Sequence, residues 1–243
     1  GVDFIFIDLE LIGKEIRQGH LNTVISRHTV EDISLIKLCL KRSKLLVRIN
    51  PLNEETKHEV DDVISRGADV IMLPMFKSAN EVITLLEYVQ DRCEVYPLLE
   101  TPEALSDIEN LVNIKAVSGY HIGLNDLHLA RGDNFMFEVM LSSEFQYAIK
   151  TLQESKKIFG IGGVSRLGGG DLPAELILRE HYRLGSSRVI LSRNFKEEVE
   201  GREAANEIAK VKQFYTDQAG EDLSESKILF REKIIQIAER IGK

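Results

Sequence analysis

Short runs of β-branched and apolar residues recur along the chain, at Val2–Leu9, Leu45–Ile49, Val70–Leu73, Val95–Leu99, Tyr120–Leu124, Phe159–Ile161 and Arg188–Leu191. Apolar positions follow one another within each run without alternating with polar ones, which predicts strands buried on both faces. Between them the apolar spacing changes to a helical period, at Val30–Leu40, Glu54–Arg66, Ala79–Asp91, Thr101–Leu111, Phe145–Ser155 and Pro173–Leu184. Two charged amphipathic helices, about Glu197–Thr216 and Leu223–Ile241, close the chain. Regular alternation of strand and helix predicts parallel βαβ units. No linker or low-complexity tract interrupts it, so the expectation is a single domain over 1–243, with barrel repeats over 1–195 and a helical extension over 196–243. The fold class expected is α/β, a (β/α)8 TIM barrel apparently lacking its first strand. Seven strand–helix repeats are counted where the barrel needs eight, and the missing one is placed before Gly1.

A doubly wound sheet alternates in the same way. The polar residues favour the barrel. Arg48, Glu100, Asp126, Gly162–Gly163 and Ser192–Arg193 all fall at or just past the C-terminal ends of different strands. A barrel gathers those ends on one rim, where barrel active sites are built, whereas an open sheet spreads them along a line.

Composition narrows the functions. The 243 residues carry 31 Lys and Arg against 39 Asp and Glu, a formal net charge of −8, which argues against a general binder of nucleic acid or anionic membrane. With no apolar run near the length of a membrane span and no signal peptide, a cytoplasmic protein is expected. Cys39 and Cys93, the only two cysteines, have no metal-type spacing and read as reduced thiols in or near the core.

Glu100 ends the run Val95-Tyr-Pro-Leu-Leu-Glu100, and Asp126 follows Ile122-Gly-Leu-Asn. An acid at the end of a buried strand is costly unless it is paired or bound to a cation. Two carboxylates from adjacent strand ends, with water and substrate completing the shell, suit Mg²⁺ or Mn²⁺. The alternatives are a helix cap or a lysine pair for Glu100 and a helix cap for Asp126. Arg48, in Leu46-Val-Arg-Ile-Asn-Pro51, reads either as a buried ion-pair partner or as a fork of donors for a carboxylate or a developing oxyanion.

Asp8-Leu-Glu10, Val47-Arg-Ile-Asn-Pro51, Gly67-Ala-Asp-Val-Ile-Met-Leu-Pro-Met75, Glu100-Thr-Pro-Glu-Ala104 and Ile122-Gly-Leu-Asn-Asp126-Leu127 occur in an order and spacing that resemble the HpcH/HpaI aldolase and citrate lyase β-subunit family. The resemblance runs from Asp3 to about Phe195. It implies a divalent-metal-dependent carbon–carbon lyase acting next to a 2-oxo acid, with Glu100 and Asp126 as metal ligands and Arg48 on the keto or enolate oxygen. It also implies that the first strand lies upstream of Gly1. Asp8-Leu-Glu10 and Val47–Asn50 look like the citryl-CoA and malyl-CoA lyase branch, and Leu73-Pro-Met75 like the free-acid aldolase branch. Leu11 stands where those aldolases carry a histidine, so that proton shuttle does not transfer. Arg48, Glu10 and Asp8 are the candidate catalytic residues, and the base is left to Glu10, a water on the metal, or His128. The alternative for His128 is an exposed loop position, and His20, His28, His58, His121 and His181 read as surface or packing residues.

The stretch Gly160-Ile-Gly-Gly-Val-Ser-Arg-Leu-Gly-Gly-Gly170 can bring backbone N–H groups close to an anion. Gly162, Gly163, Arg166, Ser192 and Arg193 are therefore candidate substrate-binding residues for a phosphate or a second carboxylate. The alternative is a mobile loop over the barrel mouth. Phe135-Met-Phe137 reads as local core or a subunit contact, or as an apolar lid. Ile228, Leu229, Ile234, Ile235 and Ile237 give the last helix apolar surface for a second copy, so a homo-oligomer is expected. Such helices are exchanged between protomers in the resembled family. Two other functions stay open: a non-catalytic barrel that binds an anionic or phosphorylated metabolite, and a CoA-ester lyase of the citryl or malyl type.

Overall fold

The computed structural model describes residues 1–14, 26–199 and 203–242. His20 lies outside the described residues. The chain divides into two compact units, Val2–Tyr120 and His121–Lys243 together with Gly1.

In the first unit, β1 (Phe4–Asp8), β2 (Lys44–Arg48), β3 (Val70–Met72) and β4 (Glu94–Val95) lie side by side in that order, all parallel. Leu45, Val47, Val70 and Ile71 are fully buried, which is why these strands read as unbroken apolar runs. The run Val95–Leu99 divides at Pro97, which has no N–H to donate. Tyr96 N–H still bonds to Ile71 O (2.8 Å), and Leu98 N–H in β5 (Leu98–Leu99) bonds to Leu73 O (2.9 Å). Helices Val30–Cys39, Thr56–Ser65 and Ala79–Val89 connect the strands. In the third, Ala79, Val82, Leu85 and Val89 form the buried stripe. The segment Thr101–Leu111 forms two short helices, Pro102–Ser106 and Ile108–Val112, which meet at Asp107, whose carboxylate accepts Ala79 N–H (2.6 Å).

Cys39 corrects a sequence expectation. It is exposed at the end of Val30–Cys39 beside the exposed Leu38, because that helix fully buries only Ile33. Cys93 is half-buried, and burial raises its thiol to about 11. Both cysteines are free.

In the second unit, β6 (Tyr120–Ile122), β7 (Phe159–Val164) and β8 (Arg188–Leu191) are successive neighbours, with β7 and β8 parallel. The strand expected at Phe159–Ile161 continues through Gly162 and Gly163 to Val164, with a register shift between Gly160 and Gly163. Packing accounts for two of its glycines. A Cβ at Gly160 would stand 2.5 Å from His121 Nδ1 and 2.8 Å from Arg188 O; one at Gly162, whose φ is +42°, would stand 2.8 Å from Leu124 Cδ1.

The last helix, Ser224–Ile241, packs on helix Ala174–Leu184 and on the 3₁₀ turn Met136–Leu141. It buries Phe230, Ile234, Ile237 and Ala238. Ile234 and Ile237, read from sequence as surface for another subunit, are thus covered by their own chain, while Ile228, Leu229 and Ile235 face outward. Phe135 and Phe137 are buried with ring centroids 5.3 Å apart, which makes them local core. Among the described residues no helix is long and apolar enough to cross a membrane.

His121 and His181 are packing residues. His121 Nε2 lies 3.1 Å from Gly162 O. His181 is 2% exposed, and its Nε2 has no hydrogen-bond partner among the described residues. Burial, with the nearby His121 second, pushes the imidazole of His181 down to about 3. The unfolded chain, with an ordinary histidine near 6.5, then binds the proton that the folded chain refuses. Stability is therefore expected to fall by about 1.4 kcal/mol per pH unit between roughly 6.5 and 3. Urea midpoints measured against pH check this; His181→Leu should flatten the slope, and an unchanged slope would place the effect on another group.

Candidate active site

β1 and β2 end in register, Asp8 opposite Arg48. The guanidinium grips the carboxylate with both prongs, Nε to Oδ1 at 2.8 Å and Nη2 to Oδ2 at 2.7 Å, and lies 5.5 Å from the centroid of the Phe6 ring. Lys14 Nζ joins Asp8 Oδ2 at 2.5 Å. Glu10, two residues beyond the strand, has Oε2 at 3.4 Å from both Lys14 Nζ and Arg48 Nη1. Glu10 and Lys14 are 1% and 3% exposed and Asp8 and Arg48 half-buried, so among the described residues two acids and two bases meet here largely out of water.

Burial pushes the Asp8 carboxyl up, but the bonds from Arg48 and Lys14 outweigh it and hold Asp8 at about 2. Burial likewise opposes the charge on Arg48, and Asp8, Glu10 and Glu100 together outweigh it, so Arg48 holds its proton more tightly than usual. Asn50 braces the segment. Its Oδ1 accepts Leu11 N–H (2.9 Å) and Ile12 N–H (3.0 Å), and its Nδ2 donates to Glu59 Oε1 (2.9 Å).

Glu100 follows β5 and is 3% exposed. Its Oε1 accepts the N–H of Met75 at 3.0 Å, and Met75 takes a left-handed backbone (φ 54°) that costs about 1 kcal/mol or more. The next helix is capped by Thr101, whose side chain accepts Ala104 N–H and donates to Phe76 O (2.7 Å). The cap considered for Glu100 is thus supplied by its neighbour, and the charge of Glu100 acts on Arg48. The first unit therefore carries Asp8, Glu10, Arg48 and Glu100 at or just past the C-terminal ends of β1, β2 and β5, with the charge of Glu100 reaching Arg48.

In the second unit, Asp126 is the third residue of helix Leu124–Arg131 and is 8% exposed; Gly123, not Asp126, is the N-cap. His128 lies on the same helix, half-buried, with no hydrogen-bond partner for Nδ1 among the described residues. This corrects the exposed-loop alternative for it. Arg166 Nη1 reaches Leu167 O at 3.4 Å. Ser192 caps helix Arg193–Glu198 by accepting Phe195 N–H (3.4 Å), and Arg193 opens that helix at the surface. Gly162 and Gly163 lie within β7. Among the described residues no group of three or more His, Cys, Asp or Glu side chains is placed to hold a metal ion.

Lys14 is the residue of this cluster that the sequence reading missed, whereas His28, read as a surface or packing residue, lies at the surface. Nothing in Gly13-Lys14 marks a buried lysine, because its burial depends on acids delivered by β1. His28 is exposed, yet its Nδ1 accepts Asp8 N–H at 3.0 Å across 20 residues of sequence.

The family model described as HpcH/HpaI aldolase/citrate lyase matches residues 1–166. Among solved structures the chain is similar to an HpcH/HpaI aldolase from Desulfitobacterium hafniense DCB-2, with TM-score 0.58 and 16% identity over 90% of this chain and 84% of that one. It is also similar to an HpcH/HpaI aldolase/citrate lyase family protein from Burkholderia cenocepacia J2315, with TM-score 0.63 and 13% identity over 87% and 86%. A third is the citrate synthase SbnG, with TM-score 0.61 and 17% identity over 88% and 85%. At these identities the likeness is one of fold. No curated relative matches the chain in sequence.

Proposed function

Because the chain belongs to the HpcH/HpaI aldolase/citrate lyase family, we propose that it is a divalent-metal-dependent carbon–carbon lyase of the aldolase type, cleaving or forming a bond adjacent to a 2-oxo acid. The observation that carries this reading is Arg48, a half-buried cation held by Asp8 in a two-pronged grip at a strand end where the charge of Glu100 also reaches it. Glu100 and Asp126 are the proposed metal ligands, an assignment that rests on their motifs. Buried carboxylates are hard oxygen donors and fit Mg²⁺ or Mn²⁺, and two of them need no third protein ligand when substrate and water complete the shell. When bound, the ion would withdraw charge from the keto and carboxylate oxygens of the substrate.

Arg48 works in the same direction. Its guanidinium is charged and oriented before substrate arrives, so it stabilises an oxyanion that appears as the bond breaks more than it stabilises the neutral ketone. Glu10 is engaged by Lys14 and Arg48, which fits a residue that fixes the fork. A closed (β/α)8 barrel is the proposed fold, with a small-molecule 2-oxo acid and a second copy of the chain as the proposed partners. Packing of Gly160 and Gly162 accounts for glycines on which the non-catalytic, anion-binding reading leaned.

The test is thermal melting with Mg²⁺, with oxalate as a mimic of the 2-oxo acid enolate, and with both. A rise that needs both is expected, worth about 2.7 kcal/mol at a hundredfold excess over Kd. An equal rise with oxalate alone would favour the non-catalytic binder, and no rise at all would sink the lyase reading.

A further inference from the structure

Leu11 and Ile12 directly follow Glu10, and they are 58% and 51% exposed. Burial of apolar surface, the usual anchor for such side chains, therefore does little to hold them. Their backbone is tied down instead. Asn50, two residues past Arg48 at the end of β2, accepts both amides on Oδ1, Leu11 N–H at 2.9 Å and Ile12 N–H at 3.0 Å. Lys14 N–H closes the turn onto Leu11 O at 3.2 Å. The anchored pair thus lies between Glu10 and Lys14, the two side chains that reach Arg48 and Asp8 from this segment.

Oδ1 serves those amides only while the carboxamide of Asn50 keeps one orientation. Helix Thr56–Ser65 supplies the constraint: Oε1 of Glu59 accepts Asn50 Nδ2 at 2.9 Å and the Asn50 backbone N–H at 3.2 Å. An ionised carboxylate offers acceptors alone, so it draws the NH₂ end of the carboxamide toward the helix and leaves the oxygen for the segment after β1. Among the described residues Asn50 makes every hydrogen bond that Glu59 receives, and Glu59 has no ion pair. Burial raises the Glu59 carboxyl, and the bonds from Asn50 pull it back.

We infer that Asn50 and Glu59 are positioning residues of this site: Glu59 orients the Asn50 carboxamide, which holds segment 10–14 so that Glu10 and Lys14 keep the fork of Arg48 in place. The inference rests on the lyase reading above. The contact has a sense, donor on Asn50 and acceptor on Glu59, and it can be reversed. Asn50→Asp alone sets two carboxylates against each other. Adding Glu59→Gln restores one donor and one acceptor, returns the net charge to that of the parent, and still leaves an oxygen for the amides of Leu11 and Ile12.

The experiment is Mg²⁺-dependent exchange of pyruvate methyl protons with D₂O, with urea midpoints measured alongside. Asn50→Asp should lower kcat about tenfold to a hundredfold and move KM by less than about threefold, the loss expected when a catalytic group shifts by about 1 Å. The double variant should regain most of that kcat. A role confined to stability would move the urea midpoint and leave the kcat of the folded enzyme unchanged, and that result overturns the inference; so does a kcat that the second substitution fails to restore. No Mg²⁺-dependent exchange in the parent overturns the lyase reading together with the inference. Amide hydrogen exchange of the parent needs no variant to fold: Leu11 and Ile12 should be protected although their side chains are exposed, and unprotected amides there refute the anchor.

Discussion

Replacing Glu100 with glutamine is expected to lower turnover by about a thousandfold or more while leaving the fold in place. Glutamine matches glutamate in size and keeps an oxygen where Oε1 accepts Met75 N–H at 3.0 Å, so the left-handed turn at Met75 retains its partner. Arg48 loses one of three acidic neighbours and keeps Asp8 and Glu10. What disappears is the negative charge, and an amide oxygen is a much weaker ligand than a carboxylate for a hard divalent cation. A loss of several kcal/mol in transition-state stabilisation corresponds to about three powers of ten. Exchange of the pyruvate methyl protons with D₂O measures this without knowledge of the other half of the substrate, because it requires only that the enolate form. Exchange that still depends on Mg²⁺ and runs within tenfold of the parent would remove Glu100 from the assignment. Asp126→Asn is expected to behave in the same way.

β2, β3, β5 and β6 were legible because they are buried on both faces, so an unbroken apolar run has only one comfortable place to go, and β1 and β8, half-buried along most of their length, carry the same kind of run. Arg48 and Glu100 stood out for the complementary reason: a charge at the end of such a run demands a partner. The partners themselves were illegible. Lys14 follows a glycine in a segment of mixed polarity, and only the folded β1 brings Asp8 and Glu10 to its ammonium group. His28 shows neither period nor motif, and only the folded chain brings its ring to the backbone amide of Asp8. Glycines misled in a third way. The run at Gly160–Gly163 looks like a loop by propensity, yet β7 carries on through it in pairing with β8, and His121 and Leu124 occupy the space that side chains at Gly160 and Gly162 would need. The last helix reads as surface on its apolar content, but Ile234 and Ile237 are buried where it packs on Ala174–Leu184 and Met136–Leu141, a packing that no local pattern announces.

Arg48→Met is expected to cost both stability and turnover, and Arg48→Lys should separate the two. Methionine keeps much of the apolar stem over Phe6 but takes the two-pronged partner from Asp8 and one cation from Glu10, leaving them Lys14 among the described residues. Breaking a buried ion pair from one side costs about 3–5 kcal/mol, most of it the expense of an uncompensated charge. Lysine restores the charge and should recover most of that loss. It cannot restore the fork, because a single ammonium group cannot bond both Asp8 oxygens and still present fixed donors to a developing oxyanion. Turnover by Arg48→Lys is therefore expected to stay at least about a hundredfold below the parent, as when one oxyanion donor is removed. Acid titration gives an independent reading of the same cluster. Asp8 is held at about 2 against an ordinary 3.8, so its contribution to stability is fully present above about pH 4 and is lost as the pH falls to 2. It amounts to about 2 kcal/mol, and Asp8→Asn should remove that limb from the pH profile. Urea midpoints for the three variants, taken beside D₂O exchange rates, decide the matter. An Arg48→Met protein as stable as the parent would show that the cluster does not support the fold, and full exchange activity in Arg48→Lys would show that the fork plays no part in the reaction.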